Sequence, residues 1–139
     1  MLVFLLHILG YDLWFYISHI LLHTPLLWKY HQIHHEIIYP KFTDTYKGHW
    51  LEGPFQSIGF LAPYCFYGFD LWAFIYAFAF VNIRGLLRHD GRTAWLIGNH
   101  HLLHHQIANC NFGEYWIDWA FNTSIKAKHR VKRGLLFIL

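Results

Sequence analysis

The chain has 139 residues, enough for one domain with a core of its own. It is 55% hydrophobic and 21% aromatic but only 14% charged, whereas about a quarter of the residues of an ordinary globular chain are charged, so the composition favours an integral membrane protein. The formal net charge of +3 comes without an arginine-rich helix, and the two cysteines have no C-x-x-C spacing, so we expect neither a nucleic-acid partner nor a disulfide framework.

The first predicted element is a transmembrane helix over about residues 2–23. Residues 2–22 are almost continuously apolar, about the length of one membrane span. The segment lacks the basic start and the small-residue cleavage site of a secretory signal. A carboxylate is costly in hydrocarbon, so we expect Asp12 either to support a metal-binding histidine or to pack inside the helix bundle.

A polar segment over residues 24–53 separates this helix from a second apolar stretch over residues 54–83. As one helix that stretch would be about 45 Å long, more than a hydrocarbon core of about 30 Å. Every Lys and Arg lies in 29–47 or 84–133, and the positive-inside rule places both segments in the cytoplasm. The sequence therefore predicts a helical hairpin that turns near Gly68 and Asp70. Its arms are residues 54–67, short enough to be partly re-entrant, and 70–87.

Residues 88–139 form a second predicted cytoplasmic segment. Its stretch from Glu114 to Phe121 is aromatic and amphipathic and suits the membrane interface. A basic run at 126–133 suits anionic headgroups. The predicted fold is thus one all-α, multi-pass membrane domain over residues 1–139, with a histidine-rich helical cap on the cytoplasmic face.

Eight of the thirteen histidines fall into three short arrays. They are His19 and His23; His31, His34 and His35; and His101, His104 and His105. Spacings of i, i+3 and i+4 place the rings of each array on one face of a helix. Neutral imidazole is a strong ligand for iron, zinc, copper and nickel. Because all three arrays are predicted on the cytoplasmic side, they can meet, and the pattern predicts a metal site.

The order of these arrays resembles the histidine boxes of the fatty acid hydroxylase and sterol desaturase superfamily. A lone His89-Asp90 and a last box spanning His100 to His105 complete the order. The flanking segments His49 to Gly53 and Asn111 to Tyr115, the latter followed by Asp118 and Phe121, are also similar to the family's motifs. The resemblance covers about residues 10–138.

The resemblance implies oxidation of an unactivated C–H bond in a membrane lipid by two irons and O₂. The product is a hydroxylated or desaturated fatty acyl chain, sphingolipid, sterol or carotenoid. By resemblance, the metal ligands are His19, His23, His31, His34, His35, His101, His104 and His105, with His89 as a ninth. His49 and His100 are expected to support those ligands or to face the substrate. Zinc could replace iron in purified protein.

Electrons are expected from an external donor, because the chain has no Gly-rich dinucleotide fingerprint and no cysteine set for an iron–sulfur cluster. The resemblance implies a cytochrome b or ferredoxin-like protein with an NAD(P)H reductase.

Two departures from the family pattern are visible. Members usually carry further apolar helices before the first box, so this chain is either trimmed at its start or a minimal form. Some members also have a histidine one turn before the position of His89, where this chain has Gly85. We therefore expect one metal to bind through water or another group such as Asn82. Two alternatives stay open, a non-enzymatic membrane metal-binding protein and an inactive, truncated relative.

Overall fold

The structure is a computed structural model that describes residues 1–136, and within that range it contains helices and no strand. The α-helices are α1 (Leu2–Leu22), α2 (Trp28–His35), α3 (Glu52–Ser57), α4 (Tyr64–Tyr67), α5 (Leu71–Arg88), α6 (Ala94–Ile97), α7 (His100–Ile107) and α8 (Tyr115–Ala120). Short 3₁₀ turns occupy Phe42–Asp44, Ile58–Leu61, Gly91–Thr93 and Lys128–Arg130. The predicted all-helical class is confirmed. Residues 137–139 of the predicted segment 88–139 lie outside the described residues.

Among the described residues, α1 and α5 are the helices long and apolar enough to cross a membrane. The outer face of α1 is an apolar stripe at a spacing of four residues, made of Leu5, Leu9, Leu13, Ile17 and Leu21. Its inner face buries polar side chains instead, among them Asp12, Ser18 and His19. A water-soluble helix shows the opposite distribution, so the surroundings that suit α1 are lipid outside and polar protein inside.

The hairpin turns where the sequence predicts. Gly68 has φ 71°, in the left-handed region that glycine tolerates. The Asp70 side chain then caps α5 by accepting a hydrogen bond from the Ala73 N–H at 3.0 Å. The predicted second arm is the single helix α5, whereas the first arm is broken into α3, a 3₁₀ turn and α4, which starts after Pro63.

The first arm packs against α1 through backbone contact. A Cβ added to Gly59 would lie 2.3 Å from the Gly10 carbonyl oxygen, closer than any real side chain approaches. Next to this contact, the rings of Tyr11 and Phe60 lie 4.7 Å apart. About one turn further along α1, Trp14 Nε1 donates to the Phe55 carbonyl at 2.7 Å. The glycine pair allows α1 and the broken arm to form two walls of one cavity.

Four buried charges join the two long helices to the C-terminal part of the chain, and we call them the four-charge network. Arg84 on α5 bonds both carboxylate oxygens of Asp12 on α1. Arg84 also lies 3.3 Å from Glu114, which pairs with Arg88. Of the two roles predicted for Asp12, its placement is the one inside the bundle, because its partner is an arginine rather than a histidine.

The C-terminal segment covers the face of α7 that points away from the other helices. Leu103 on α7 is buried against Ile125 and Val131. Asn99 holds the basic run by donating to the Arg130 carbonyl at 2.9 Å and accepting from the Lys132 N–H at 2.7 Å. Both cysteines are free thiols, as expected.

Helix α8 lies beside α1. The ring of Phe121 stacks on Tyr16 at 5.3 Å, and Trp119 is 73% exposed. The position of this aromatic stretch at a membrane interface stays a prediction.

Candidate metal centre

Nine histidines converge at one end of the bundle in two groups. The five-histidine group is His19, His23, His31, His35 and His104, and the four-histidine group is His34, His89, His101 and His105. Within each group the nitrogen atoms available for a metal lie within 4.8 Å of one another. All nine histidines predicted as ligands are placed in one group or the other; their binding of metal stays a prediction.

The two H-x-x-H-H arrays are shared between the groups. In α2 the i, i+4 pair His31 and His35 joins the five-histidine group while His34 joins the other. In α7 the i, i+4 pair His101 and His105 joins the four-histidine group while His104 crosses to the five-histidine group. Because each array contributes to both groups, α2 and α7 hold the two groups next to each other.

The rings are spaced as ligands of an ion. Between Nε2 atoms the distances are 2.9 Å for His19 and His31, 3.0 Å for His89 and His101, and 3.1 Å for His34 and His89. With a metal–nitrogen distance of about 2.1 Å, two ligands at a right angle are about 3.0 Å apart. The observed separations therefore match neighbouring positions around a metal.

One pair needs a cation between its rings. His34 Nδ1 donates to the Lys47 carbonyl at 2.9 Å, and His89 Nδ1 donates to the Gly85 carbonyl at 2.8 Å. A carbonyl only accepts, so in both neutral rings Nε2 carries a lone pair and no proton. These two lone pairs face each other across 3.1 Å, an arrangement that a bound metal ion stabilises.

The eight histidines of the two groups that lie outside the two candidate membrane helices are neutral at physiological pH. Burial, and second to it the neighbouring imidazoles, lowers the pKa of His23 to about 4, of His35 and His89 to about 3, and of His105 to about 2. Burial also lowers the pKa of the remaining members, His31, His34, His101 and His104. Neutral imidazole is the form that binds metal.

A glutamate that the sequence analysis gave no role supports the five-histidine group. Glu52 Oε1 lies 2.9 Å from His31 Nδ1, on the side of the ring opposite Nε2. Glu52 is buried at the start of α3, and this burial raises the pKa of its carboxyl to about 8. A carboxyl group behind a ligating histidine fixes the orientation of the ring. The sequence signal that could have identified Glu52 is its position as a lone acidic residue at the start of an apolar stretch.

A second carboxylate, Asp118 on α8, supports the turn that holds two further ligands. It is fully buried and accepts from the N–H groups of Phe112 and Gly113 at 2.9 and 2.8 Å. Within that turn, the carbonyls of Phe112 and Cys110 accept from Nδ1 of His19 and His104. The predicted supporting residue His100 lies outside both groups, and its Nε2 is 2.9 Å from Asp118.

Asn82 and His49 also lie outside both groups. The Asn82 side chain accepts from the Tyr46 hydroxyl at 2.6 Å and donates to the Phe78 carbonyl at 2.7 Å. Its amide is thus occupied away from the histidines, and the structure does not place it as a substitute ligand. His49 lies in the loop before α3, where its ring contacts Tyr30 and lines a cavity.

That cavity has a volume of about 340 Å³ and reaches members of both histidine groups. Three helical segments form the walls of the cavity, and the residues that line it recur about once per turn along each segment, starting from the histidine end. They carry, in order, His19, Phe15 and Tyr11 on α1; Glu52, Gln56 and Phe60 on the first hairpin arm; and His89, Gly85 and Val81 on α5. The loop over residues 45–50 covers the side. The walls become more apolar with distance from the histidines, as a hydrocarbon ligand requires.

Comparison with known proteins gives a family for this arrangement. A family model described as fatty acid hydroxylase matches residues 4–123. The Delta(7)-sterol 5(6)-desaturase ERG3B of Gibberella zeae is 32% identical over 127 residues, which cover 85% of this chain and 39% of that protein. The Delta(7)-sterol 5(6)-desaturase of Leptosphaeria maculans is 32% identical over 115 residues, which cover 78% and 32%. The chain spans less than half the length of these relatives, and no solved structure matches it.

The matched range contains all nine histidines of the two groups, the supporting carboxylates Glu52 and Asp118, the whole of α5 and all of α1 after its first two residues. The resemblance of the histidine boxes is thereby confirmed, and the chain belongs to the fatty acid hydroxylase and sterol desaturase superfamily.

Proposed function

We propose that the two histidine groups hold two iron ions and that the protein uses O₂ to hydroxylate or desaturate a C–H bond of a membrane lipid. The observation that carries the proposal is the facing pair of lone pairs on His34 and His89, since a cation accounts for it. That pair also lines the cavity between the membrane-spanning helices.

Bound iron would supply the activation of O₂ and the one-electron chemistry that C–H oxidation requires. The chain itself supplies position. Backbone carbonyls hold the Nδ1–H of His19, His34, His89 and His104, so that Nε2 of each ring is free to bind a metal. The aromatic walls at Phe15, Tyr11 and Phe60 exclude water from the substrate.

A sterol, and its desaturation, are the substrate and the reaction that the relatives' names favour. By the positive-inside rule the histidine groups face the cytoplasm. There they receive electrons from a cytochrome b or ferredoxin-like protein with its NAD(P)H reductase.

The metal content of the purified chain tests the metal centre. Protein prepared in mild detergent under low oxygen from iron-supplied cells should contain about two metals per chain, mostly iron, by elemental mass spectrometry. His34→Ala should lose metal, and His129→Ala, an exposed histidine outside both groups, is the matched control. Well under one metal per chain in the wild type would refute the metal centre.

The lipid profile of cells that express the chain tests the activity. An oxidised or desaturated lipid should be present with the wild type and with His129→Ala, and absent with His34→Ala. A zinc-filled chain that changes no lipid would instead identify a non-enzymatic metal-binding protein.

A further inference from the structure

Two polar side chains in the cavity wall have no partner among the residues that the structure describes. Gln56 and Ser57 end α3, and both line the cavity and are partly exposed to it. Neither side chain makes a hydrogen bond with any other part of residues 1–136, whereas the nearby amide of Asn82 makes two. Polar groups inside a mostly apolar pocket normally fix the orientation of a ligand.

The position of Gln56 relative to the histidines follows from the helix. Glu52 lies 2.9 Å from His31, and Gln56 is one turn further along the same face of α3, about 6 Å away. The next residue on this face, Phe60, is packed against Tyr11. Gln56 is thus a polar side chain that lies between the metal-binding end and the aromatic end of the cavity.

We propose that Gln56 and Ser57 form the subsite for a hydroxyl group of the lipid substrate. This inference rests on the proposed function and adds a chemical class to it, a lipid that carries a neutral hydroxyl close to the oxidised carbon. An amide and a hydroxyl both donate and accept, which matches a hydroxyl that also does both.

The cavity wall at Gln56 and Ser57 carries no charge of its own. A carboxylate or phosphate is normally bound by arginine or lysine. Of the cations that line the cavity, Arg88 is paired with buried Glu114, and Lys47 belongs to the covering loop. Gln56 and Ser57 are uncharged, so the wall beside them selects a neutral polar group.

The same geometry orients the rest of the ligand. With its hydroxyl at Gln56, about one helical turn beyond Glu52, the lipid presents a C–H bond a few carbon atoms away to the metal-binding end. Its remaining hydrocarbon lies against Tyr11, Phe60 and Val81. A lipid whose polar group is far from the oxidised carbon does not satisfy both contacts.

Equilibrium binding tests the subsite without any turnover. The probes are a tritiated Delta(7)-sterol, the substrate type in the relatives' names, and its deoxy analogue, which lacks the hydroxyl. The variants are Gln56→Leu and Ser57→Ala, with Gln32→Leu on the exposed face of α2 as the matched control. A hydrogen bond contributes about 1 kcal/mol, so the wild type and Gln32→Leu should bind the sterol about fivefold more tightly than the analogue.

Gln56→Leu should weaken sterol binding about fivefold and leave binding of the deoxy analogue unchanged. Ser57→Ala should give the same pattern with a smaller loss, and it removes only one atom if the larger change disturbs the fold. Equal binding of both probes by the wild type, or equal loss of both in the variants, would overturn the subsite.

The proposed function is tested separately by the metal content and the lipid product. A chain that distinguishes the probes but oxidises no lipid keeps the subsite and refutes the oxidation. A chain that oxidises a lipid, yet binds both probes equally, keeps the oxidation and refutes the subsite.

Discussion

Replacement of Asp118 by asparagine should release metal from the five-histidine group, although Asp118 touches none of its members. Oδ1 of Asp118 accepts from the Phe112 N–H at 2.9 Å and from the Thr123 hydroxyl at 2.6 Å. Oδ2 accepts from the Gly113 N–H at 2.8 Å and from His100 at 2.9 Å. The carboxylate thus satisfies four donors, and an asparagine side chain has only one oxygen.

The least costly orientation of the new amide places its NH₂ toward Thr123, whose hydroxyl can turn to accept. The Phe112 N–H then faces an NH₂ and loses its acceptor. A hydrogen bond to a charged group contributes about 1.5–3 kcal/mol, and the remaining bonds weaken when the acceptor becomes neutral. We expect the substitution to cost about 3 kcal/mol in the free energy of unfolding, out of a typical total of about 5–15 kcal/mol.

The substitution weakens the turn that orients two ligands, because the carbonyls of Phe112 and Cys110 in that turn accept hydrogen bonds from His19 and His104. Loss of such support typically lowers metal affinity about 10–100-fold. The assay is release of metal to a chelator, followed by elemental mass spectrometry. If each group holds one metal as proposed, Asp118→Asn should release the metal of the five-histidine group faster than the wild type does.

Asp70→Asn is the matched control, because Asp70 caps α5 with one oxygen and asparagine caps a helix equally well. If Asp118→Asn retains both metals as firmly as the wild type and unfolds at the same temperature, the turn does not position the ligands.

Three further predictions follow from single contacts. Glu52→Leu should lower metal retention about tenfold, because His31 loses the carboxyl group beside its ring. Glu52→Gln keeps an acceptor at that position and should keep most of the metal. The rate of metal release to a chelator distinguishes the two variants, and equal rates would contradict the role of Glu52. Gly59→Ala should lower the free energy of unfolding by about 3 kcal/mol, because the new Cβ would lie 2.3 Å from the Gly10 carbonyl oxygen. Gly53→Ala is the control: its Cβ would meet nothing within 4 Å, and the substitution should raise the free energy of unfolding by about 0.5 kcal/mol. Equal changes in the melting temperatures of the two variants would refute this contact. The metal-free protein should lose stability as the pH falls from about 6.5, because the unfolded histidines then bind protons while the folded ones, with pKa values of about 4 for His23 and about 3 for His89, stay neutral. Each such group contributes about 1.4 kcal/mol per pH unit, and a melting temperature that is flat between pH 7 and pH 5 would exclude the effect.

Local spacing predicted the histidine arrays well because a helix places i and i+4 side chains on one face whatever surrounds it. It did not predict how they divide. His34 and His35 are neighbours in sequence yet belong to different groups, since the direction of each ring depends on where α7 and the end of α5 lie. That placement is tertiary, and the spacing within one array carries no information about it.

The supporting residues were harder still to predict. Asp118 acts on His19 through a backbone carbonyl, across a sequence separation of 93 residues between His19 and Phe112. The two arms of the hairpin were predicted from charge and length, and the turn at Gly68 is where expected. The 3₁₀ turn that interrupts the first arm between α3 and α4 was not predicted, because the close contact between Gly10 and Gly59 depends on how two distant segments pack.

The four-charge network has a consequence for biosynthesis. A lone charged residue in a membrane segment costs about 2.5–3.5 kcal/mol during insertion. If α1 and α5 span the membrane as predicted, Asp12 and Arg84 each raise the cost of inserting their helix until the two side chains pair. Their pairing still leaves one positive charge in excess, that of Arg88, and its counter-ion Glu114 follows 26 residues later in the chain. The four charges therefore balance only after α7, which precedes Glu114 in the chain, has been translated.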